Sequence, residues 1–493
     1  MSRSQLETDV VVVGGGMGGV IAATRAAQLG ARVVLIEATG SLGGTAVHSA
    51  GSIHVWGAHS VDDYIKACPT VDPVFAEVLV HGFRPLVDWL DSLNAPGRLS
   101  DKAARGRALE NYLVGGLAPL QKVRWFAYLG ERFTNFGGKL LLNTRARELV
   151  VHDGTVKGII ASSTDGETKI SASSVVLASG GFQANPALLR RYIPGSSSHA
   201  VLRALPTNQG DALTMALAAG AATSPQMDAV YGHLLPDSAA VSWGNGIDPA
   251  VISAYYTSHG IALNSRGERF VDEGAGEYSA VTANVALKQP DGALWVLMDQ
   301  EVRRQEGKYD LPWSLIRPGN LRYAQFLRFM RLRRCSGSLE VTIDSLSLTK
   351  HRGGLVIKEK TLEGLIGRLV EHGLPGEATR QAIEEYNEAA KTGRADQLAA
   401  PRSMFAQPLQ HSPFYAVRVG VGISMTNGGL RIDTTGRVLN EQGEPIPGLF
   451  ATPGTAGGIF GVHYGGALAA CGIFGWIVGS ESLPNLTGTR SSA

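Results

Sequence analysis

The 493-residue sequence predicts an α/β fold: a parallel-sheet domain with glycine-rich strand-to-helix turns, interrupted by an inserted α+β domain. Three observations predict it. A valine run, a glycine cluster, an Ala-rich helical stretch and a second apolar run follow one another at the start. Strand–glycine–helix punctuation of the same kind returns near both ends. Between about 222 and 355 that punctuation stops, and aromatic and arginine residues become more frequent.

The first unit is DVVVVGGGMGGVIAATRAAQLGARVVLIE, residues 9–37. The valines do not alternate with polar residues, so they read as a strand buried on both faces. From Met17 to Leu29 the pattern is helical, and Arg32 to Ile36 reads as a second buried strand. Gly14, Gly16 and Gly19 therefore fall at a strand-to-helix turn with the spacing G-x-G-x-x-G. In that setting the first glycine permits the tight turn, the second lets a pyrophosphate approach the backbone, and the third lets helix and strand pack closely. The helix start offers unpaired N–H groups and a positive dipole end. Glu37 closes the second strand, where a carboxylate can accept hydrogen bonds from a ribose diol. Together they predict a Rossmann-like dinucleotide-binding unit.

A second glycine cluster, GSLGGTAVHSAGSIHVWG, follows at once and is placed to fold over the same ligand. Residues 60–95 read as helices. Gly138 to Gly166 reads as short strands and turns, and SSVVLASGGF as a buried strand ending in glycines. TNQGDALTMALAAGA is a turn leading into a helix, with Asp211 near its start. Within the insert, LRYAQFLRFMRLRRC (Leu321 to Cys335) is expected to form a helix carrying Arg322, Arg328, Arg331, Arg333 and Arg334. Its basic residues form either a solvated face or a site for an acidic substrate or membrane surface. TLEGLIGRLVEHG and GEATRQAIEEYNEAA give a helical pair. The last block gives a hairpin, a strand, a glycine-rich loop and a helix of small residues. The expected division is 1–221 and 356–493 for the two parts of the nucleotide domain, with 222–355 as the insert.

Composition narrows the function. Hydrophobic residues make up 44% and charged residues 18%, enough for a large core. A net charge of +2 gives no case for nucleic-acid binding. No uncharged apolar run approaches a membrane span, and the start lacks a secretory apolar region. Cys68, Cys335 and Cys471 are odd in number and lack a metal spacing. No metal is expected, and a reducing, cytoplasmic setting fits.

The closing block, with the N-terminal fingerprint, GGTAVHSAGSIHVWG, VVLASGGF, NQGDALTMALAAGA, GIALNSRGERFVDEG, TNGGLRID and GRVLNEQGEPIPGLFA, resembles the fumarate reductase and 3-ketosteroid Δ1-dehydrogenase group of FAD enzymes. The resemblance covers nearly the whole chain. It implies a flavin domain made from both chain ends, with an inserted cap domain, and FAD as the cofactor. By motif, Gly14, Gly16 and Gly19 face the pyrophosphate and Glu37 the adenosine ribose. Gly43, Gly44 and Thr45 line the pyrophosphate and flavin side, Gly51 sits beside the ring, and Asp211 lies near the flavin. Ala467 and Leu468 open the last helix, whose amides point at the flavin N1 and C2 carbonyl. This chain reads ATPG, Ala451 to Gly454, where the family usually reads A-A-G-E, so Thr455 is expected to replace the missing glutamate. His48 does not fall on the position that carries a covalent flavin in succinate dehydrogenases, which implies non-covalent FAD.

The resemblance also implies the chemistry: hydride transfer between the flavin and a carbon of a CH–CH bond, with a protic side chain serving the other carbon. The three charged handles that fumarate reductases carry are replaced here by Glu277 or a neighbour, by Ser424–Met425 and by Tyr464. A small dicarboxylate therefore finds little to pair with. Ketosteroid dehydrogenases instead place a tyrosine in the glycine loop to polarise a ketone, and Tyr464 with Gly465 and Gly466 resembles that. His463 is a second candidate, because the near-neutral pKa of a histidine suits proton transfer where the ring faces the flavin. Tyr255, Tyr256 and Tyr278 are candidates for the proton-transfer role. FVDEG resembles a tricarballylate dehydrogenase-like branch, which keeps a carboxylated substrate open. The expected enzyme is a dehydrogenase acting next to a ketone or carboxyl group; the alternatives are an ene reductase on a substrate other than fumarate, an amine or hydroxyl oxidase, and a flavoprotein without turnover. Its partners are a small-molecule substrate and an external electron acceptor or donor; self-association stays open.

Overall fold

The computed structural model describes residues 4–49, 51–56, 60–100, 109–114, 119–194, 200–236, 253–275, 280–290, 292, 294–306, 330–335 and 338–484. The valine run folds as expected. Ser4–Val13 is a strand whose last four residues are at most 3% exposed. It pairs in parallel with Val33–Ile36 on one side and with Gly166–Leu177 on the other. Helix Met17–Gln28 crosses between the first two strands.

Strands from both ends of the chain complete this sheet. Its order is Arg437–Leu439, Pro445–Ala451, Gly166–Leu177, Ser4–Val13, Val33–Ile36, Lys139–Leu141. Pro445–Ala451 joins Gly166–Leu177 in parallel, and the antiparallel pair Arg145–His152 and Thr155–Ser163 extends the long central strand. The final helix, Ala467–Glu481, lies against the first one. A methyl group on Gly475 would meet the Gly18 carbonyl oxygen at 2.5 Å, so the two backbones touch where neither carries a side chain.

The second sheet is organised by one long strand, Phe414–Thr426. Leu294–Met298, Val230–Pro236 and Val356–Glu359 pair with it antiparallel, and Val201–Leu202 pairs in parallel. Ile261–Leu263 adds to Leu294–Met298. This sheet runs past residue 355, where the insert was expected to end, because the long strand that carries it comes from the C-terminal third. Two buried arginines fasten one corner. Arg402 and Arg269 both pair with Glu273, at 3.0 and 2.5 Å, and Arg402 also donates to the carbonyls of Ser258 and Gly260.

The helices expected around residues 60–95 form as Val61–Ala67 and Pro73–Ser92, capped by Ser60 and Asp72. The arginine-rich stretch differs. Met330–Cys335 is a strand, paired antiparallel with Ser338–Ile343, and residues 321–329 lie outside the described residues. The sequence Ser336-Gly337 between the two strands is a hairpin turn signal, and the partner SLEVTI is rich in β-branched and aliphatic residues; together these outweigh the helical propensity of the arginines. Among the described residues, no helix is long and apolar enough to cross a membrane.

Candidate functional site

The carboxyl ends of the parallel strands open onto a cavity of about 500 Å³, closed on its far side by the second sheet. Val13, Ile36, Ala178 and Thr452 bring four strand ends to its wall, the usual place for a ligand in an open α/β sheet.

The glycine turn is built as the fingerprint requires. Gly14 has φ +104°, and a methyl group there would meet the Ala178 carbonyl oxygen at 2.5 Å. One on Gly19 would meet the Gly14 oxygen at 1.8 Å, so Gly19 serves close packing and does not line the cavity. Gly16 differs from both: a methyl group there meets nothing within 4 Å. A methyl group on Gly44 would lie 3.4 Å from the Gly16 Cα, and Gly43 donates to the Gly15 carbonyl at 2.8 Å. Two glycine segments thus leave a bare strip of backbone along the cavity. The Glu37 carboxylate accepts from the Gly15 N–H (2.8 Å) on one oxygen and from the Thr39 N–H and hydroxyl (both 2.8 Å) on the other. It sets the turn as well as lining the cavity.

Two helices start at this wall, and neither start has a side-chain cap. Gly16 caps Met17–Gln28, and Gly466, at φ +103°, caps Ala467–Glu481. The Ala470 N–H bonds the Gly466 carbonyl, so the amides of Ala467 and Leu468 stay outside the helix ladder. Uncapped helix starts facing one cavity suit an anionic, carbonyl-rich ligand. Thr45 lines the wall and donates to the Asn208 side chain at 2.8 Å. Asp211 sits at the Glu37 end, bound by both arms of Arg145 at 2.7 and 2.9 Å; the neighbouring Thr144 N–H bonds the Glu37 carbonyl.

The opposite end is aromatic. The Tyr464 ring stacks on Tyr231 with centroids 3.9 Å apart and lies edge-on to His54 at 5.8 Å; Trp56 meets His54 at 5.0 Å. The Tyr231 hydroxyl bonds His233 Nε2 at 2.9 Å. The loop bearing Tyr464 is pinned from below. Tyr64 donates to the Gly465 carbonyl at 2.7 Å, Cys68 to the Tyr464 carbonyl at 3.3 Å, and Thr70 to the Phe460 carbonyl at 2.7 Å. His54 Nδ1 lies 3.2 Å from the Ser52 carbonyl and 3.1 Å from the Ser52 hydroxyl, and its Nε2 is buried without a hydrogen-bond partner. Burial pushes the His54 imidazole down to about 4, and the Cys471 thiol at the start of the last helix up to about 12. Both are neutral at physiological pH.

Several expected residues sit elsewhere. Thr455 does not line the cavity; its hydroxyl accepts from the Gly180 N–H at 2.9 Å and steadies the strand-end loop. Gly51 is outside the wall, turning the chain at φ +65° into strand Ser52–Trp56. His463 lies beneath the loop with Nδ1 2.9 Å from the Thr70 hydroxyl. Tyr256 is 1% exposed in the core, and Tyr278 lies outside the described residues. Glu273 of FVDEG belongs to the arginine clasp, away from the cavity. Among the described residues, no cluster of histidines, cysteines and carboxylates could hold a metal. The sequence reading missed Arg145, Gln183, Arg203, Tyr231 and His233, all at the wall. Tyr231 and His233 are two apart on a strand and so share a face, a period-2 signal that was available.

The comparisons agree with this geometry. The chain is 28% identical over 499 residues to a fumarate reductase (cytochrome) of Shewanella frigidimarina, covering 96% of this chain and 76% of that protein. It is 27% identical to a vinyl phenol reductase of Lactiplantibacillus plantarum, covering 93% and 91%. The 3-ketosteroid-delta4-(5alpha)-dehydrogenase of Rhodococcus jostii RHA1, solved in complex with 4-androstene-3,17-dione, shares the fold with a TM-score of 0.70 at 23% identity, over 98% of both chains. The FAD binding domain family matches residues 9–474. The bare glycine strip, the two uncapped helix starts and the ribose-side carboxylate fit that cofactor, and the chain belongs to the FAD binding domain family of flavoprotein oxidoreductases.

Proposed function

We propose that the chain exchanges a hydride across a CH–CH bond next to a ketone or carboxyl group, with FAD held non-covalently. When bound, FAD supplies the hydride acceptor or donor. The observation that carries the reading is the position of Tyr464, on the cavity wall three residues before the uncapped amides of Ala467. Its hydroxyl donates to the substrate oxygen, where negative charge develops as the hydride moves. The stacked Tyr231 and the buried Trp56 keep water from that oxygen and make the hydrogen bond stronger. With FAD bound, the uncapped amides of Ala467 and Leu468 would stabilise negative charge on the cofactor ring.

An external small-molecule or protein electron carrier completes the cycle, and a cytoplasmic setting fits free Cys68 and Cys471. The test is an anaerobic screen of cyclic ketones, enones and carboxylic acids that follows the visible flavin band. Bleaching by a saturated compound, or recovery from the reduced state with an unsaturated one, supports the reading and gives its direction. A flavin that responds to none of them ends it. A second reading, reduction of an unsaturated acid, is favoured by Arg203 on the same wall.

A further inference from the structure

The cavity wall carries two arginines. Arg145 is neutralised by its two-armed bond to Asp211 at the Glu37 end. Arg203 is different. It follows strand Val201–Leu202, whose pairing with Gly422 and Ile423 brings it beside Ser424. Its Nη1 donates to the Ser424 hydroxyl at 2.7 Å. Its Nε is buried without a hydrogen-bond partner, and no carboxylate among the described residues pairs with it. Beside it Gln183, 4% exposed, donates to the Ser424 carbonyl at 3.1 Å and leaves its own Oε1 unpartnered.

A buried guanidinium N–H without an acceptor costs free energy, and the charge raises that cost. The cost is removed when a ligand oxyanion takes the place of the missing carboxylate. The guanidinium is held by a neutral hydroxyl, so its charge is not cancelled. Burial keeps His54, on the same wall, neutral. Among the described residues the site offers one unpaired fixed cation, Arg203, beside a wall of Tyr231, Tyr464 and Trp56, which suits a flat apolar body.

We infer that Arg203, steadied by Ser424, selects substrates with one carboxylate on a flat apolar body, and discriminates against both neutral analogues and dicarboxylates. The inference rests on the proposed reaction for its substrate oxygen but not for its binding. Arg203 reaches position 424 from the neighbouring strand, so a positive charge stands beside Ser424 although the chain carries no charged residue at 424 or 425.

The test uses purified yellow holoenzyme and perturbation of the visible flavin band as the binding readout. Cinnamate, cinnamamide and fumarate are titrated into the wild type, Arg203→Gln, Arg203→Lys and Ser424→Ala. Wild type is expected to bind cinnamate at least about tenfold more tightly than either other probe, the scale of one charge-assisted hydrogen bond. Arg203→Gln should weaken cinnamate by about 10- to 100-fold, leave cinnamamide within about twofold, and stay yellow. Arg203→Lys should recover part of the preference, and Ser424→Ala should reduce it. Equal binding of acid and amide by wild type overturns the inference, as does an Arg203→Gln variant that keeps the preference. So does a variant that purifies colourless, which would assign Arg203 to the cofactor. A wild type that responds to none of the probes also overturns it. Because binding is read without turnover, loss of the Tyr464 role leaves this result standing, and loss of the Arg203 preference leaves the Tyr464 role standing.

Discussion

The rings of Tyr231 and Tyr464 lie 3.9 Å apart and 18° from parallel, joining a strand of the second sheet to the loop ahead of the last helix. This contact fixes where the Tyr464 hydroxyl points without using it. Tyr464→Phe should therefore keep the stack and the flavin, and lower kcat by about 10²- to 10³-fold, the usual loss for one oxyanion donor. Tyr231→Leu removes the stack but not the hydroxyl, and should cost only about 2- to 10-fold, in line with about 0.5–1.5 kcal/mol for an aromatic pair. Steady-state kinetics on both variants checks the order; comparable losses would remove the special role of Tyr464.

Gly16 and Gly19 belong to one motif but should fail in different ways. A Cβ at Gly16 meets no protein atom within 4 Å, so Gly16→Val should fold with the thermal midpoint of the wild-type apoprotein and purify without its yellow colour. A side chain at Gly19 strikes the Gly14 carbonyl, so Gly19→Val should lower the thermal midpoint itself. Melting curves and visible spectra of the two proteins separate these outcomes.

His54 makes stability depend on pH. Its folded value, about 4, lies below the ordinary histidine value of 6.5, so the unfolded chain binds the proton more readily. The stabilisation is whole above pH 6.5 and is lost as pH falls from 6.5 towards 4. Across that window the loss is about 3 kcal/mol. Urea unfolding between pH 4.5 and 8 should show the slope in wild type and a shallower one in His54→Gln.

The Glu273 clasp predicts a stability effect without a catalytic one. Glu273→Gln leaves Arg402, fully buried, and Arg269, nearly so, without their counter-charge. The expected cost is about 3–5 kcal/mol, read as a lower urea midpoint. The native fraction should keep the wild-type flavin spectrum, since the clasp lies away from the cavity.

Gly14, Gly16, Gly19 and Glu37 could be read from the sequence because strand, turn, helix and acid lie within about 30 residues and their order carries the meaning. Ala467 and Leu468 were legible by resemblance to known closing helices. Arg203 and Ser424 were not, because 221 positions separate them and only the pairing of Val201–Leu202 with Gly422–Ile423 brings them together. Gly51, carried over by motif, and Thr455, expected to replace a missing glutamate, lie outside the cavity wall and shape loops. The stretch Met330–Cys335 was misread because arginine suits helices, while the turn after it carried the stronger signal.

The sheet that holds the cofactor takes strands from both termini, and the wall needs Gly16 and Leu468 together. A ribosome adding roughly 5–20 residues per second spends tens of seconds between those two positions. Throughout that interval the early glycine turn exists without its opposite wall, so a complete FAD site waits for synthesis of the last helix. Chains released before that wall is made would accumulate as apoprotein.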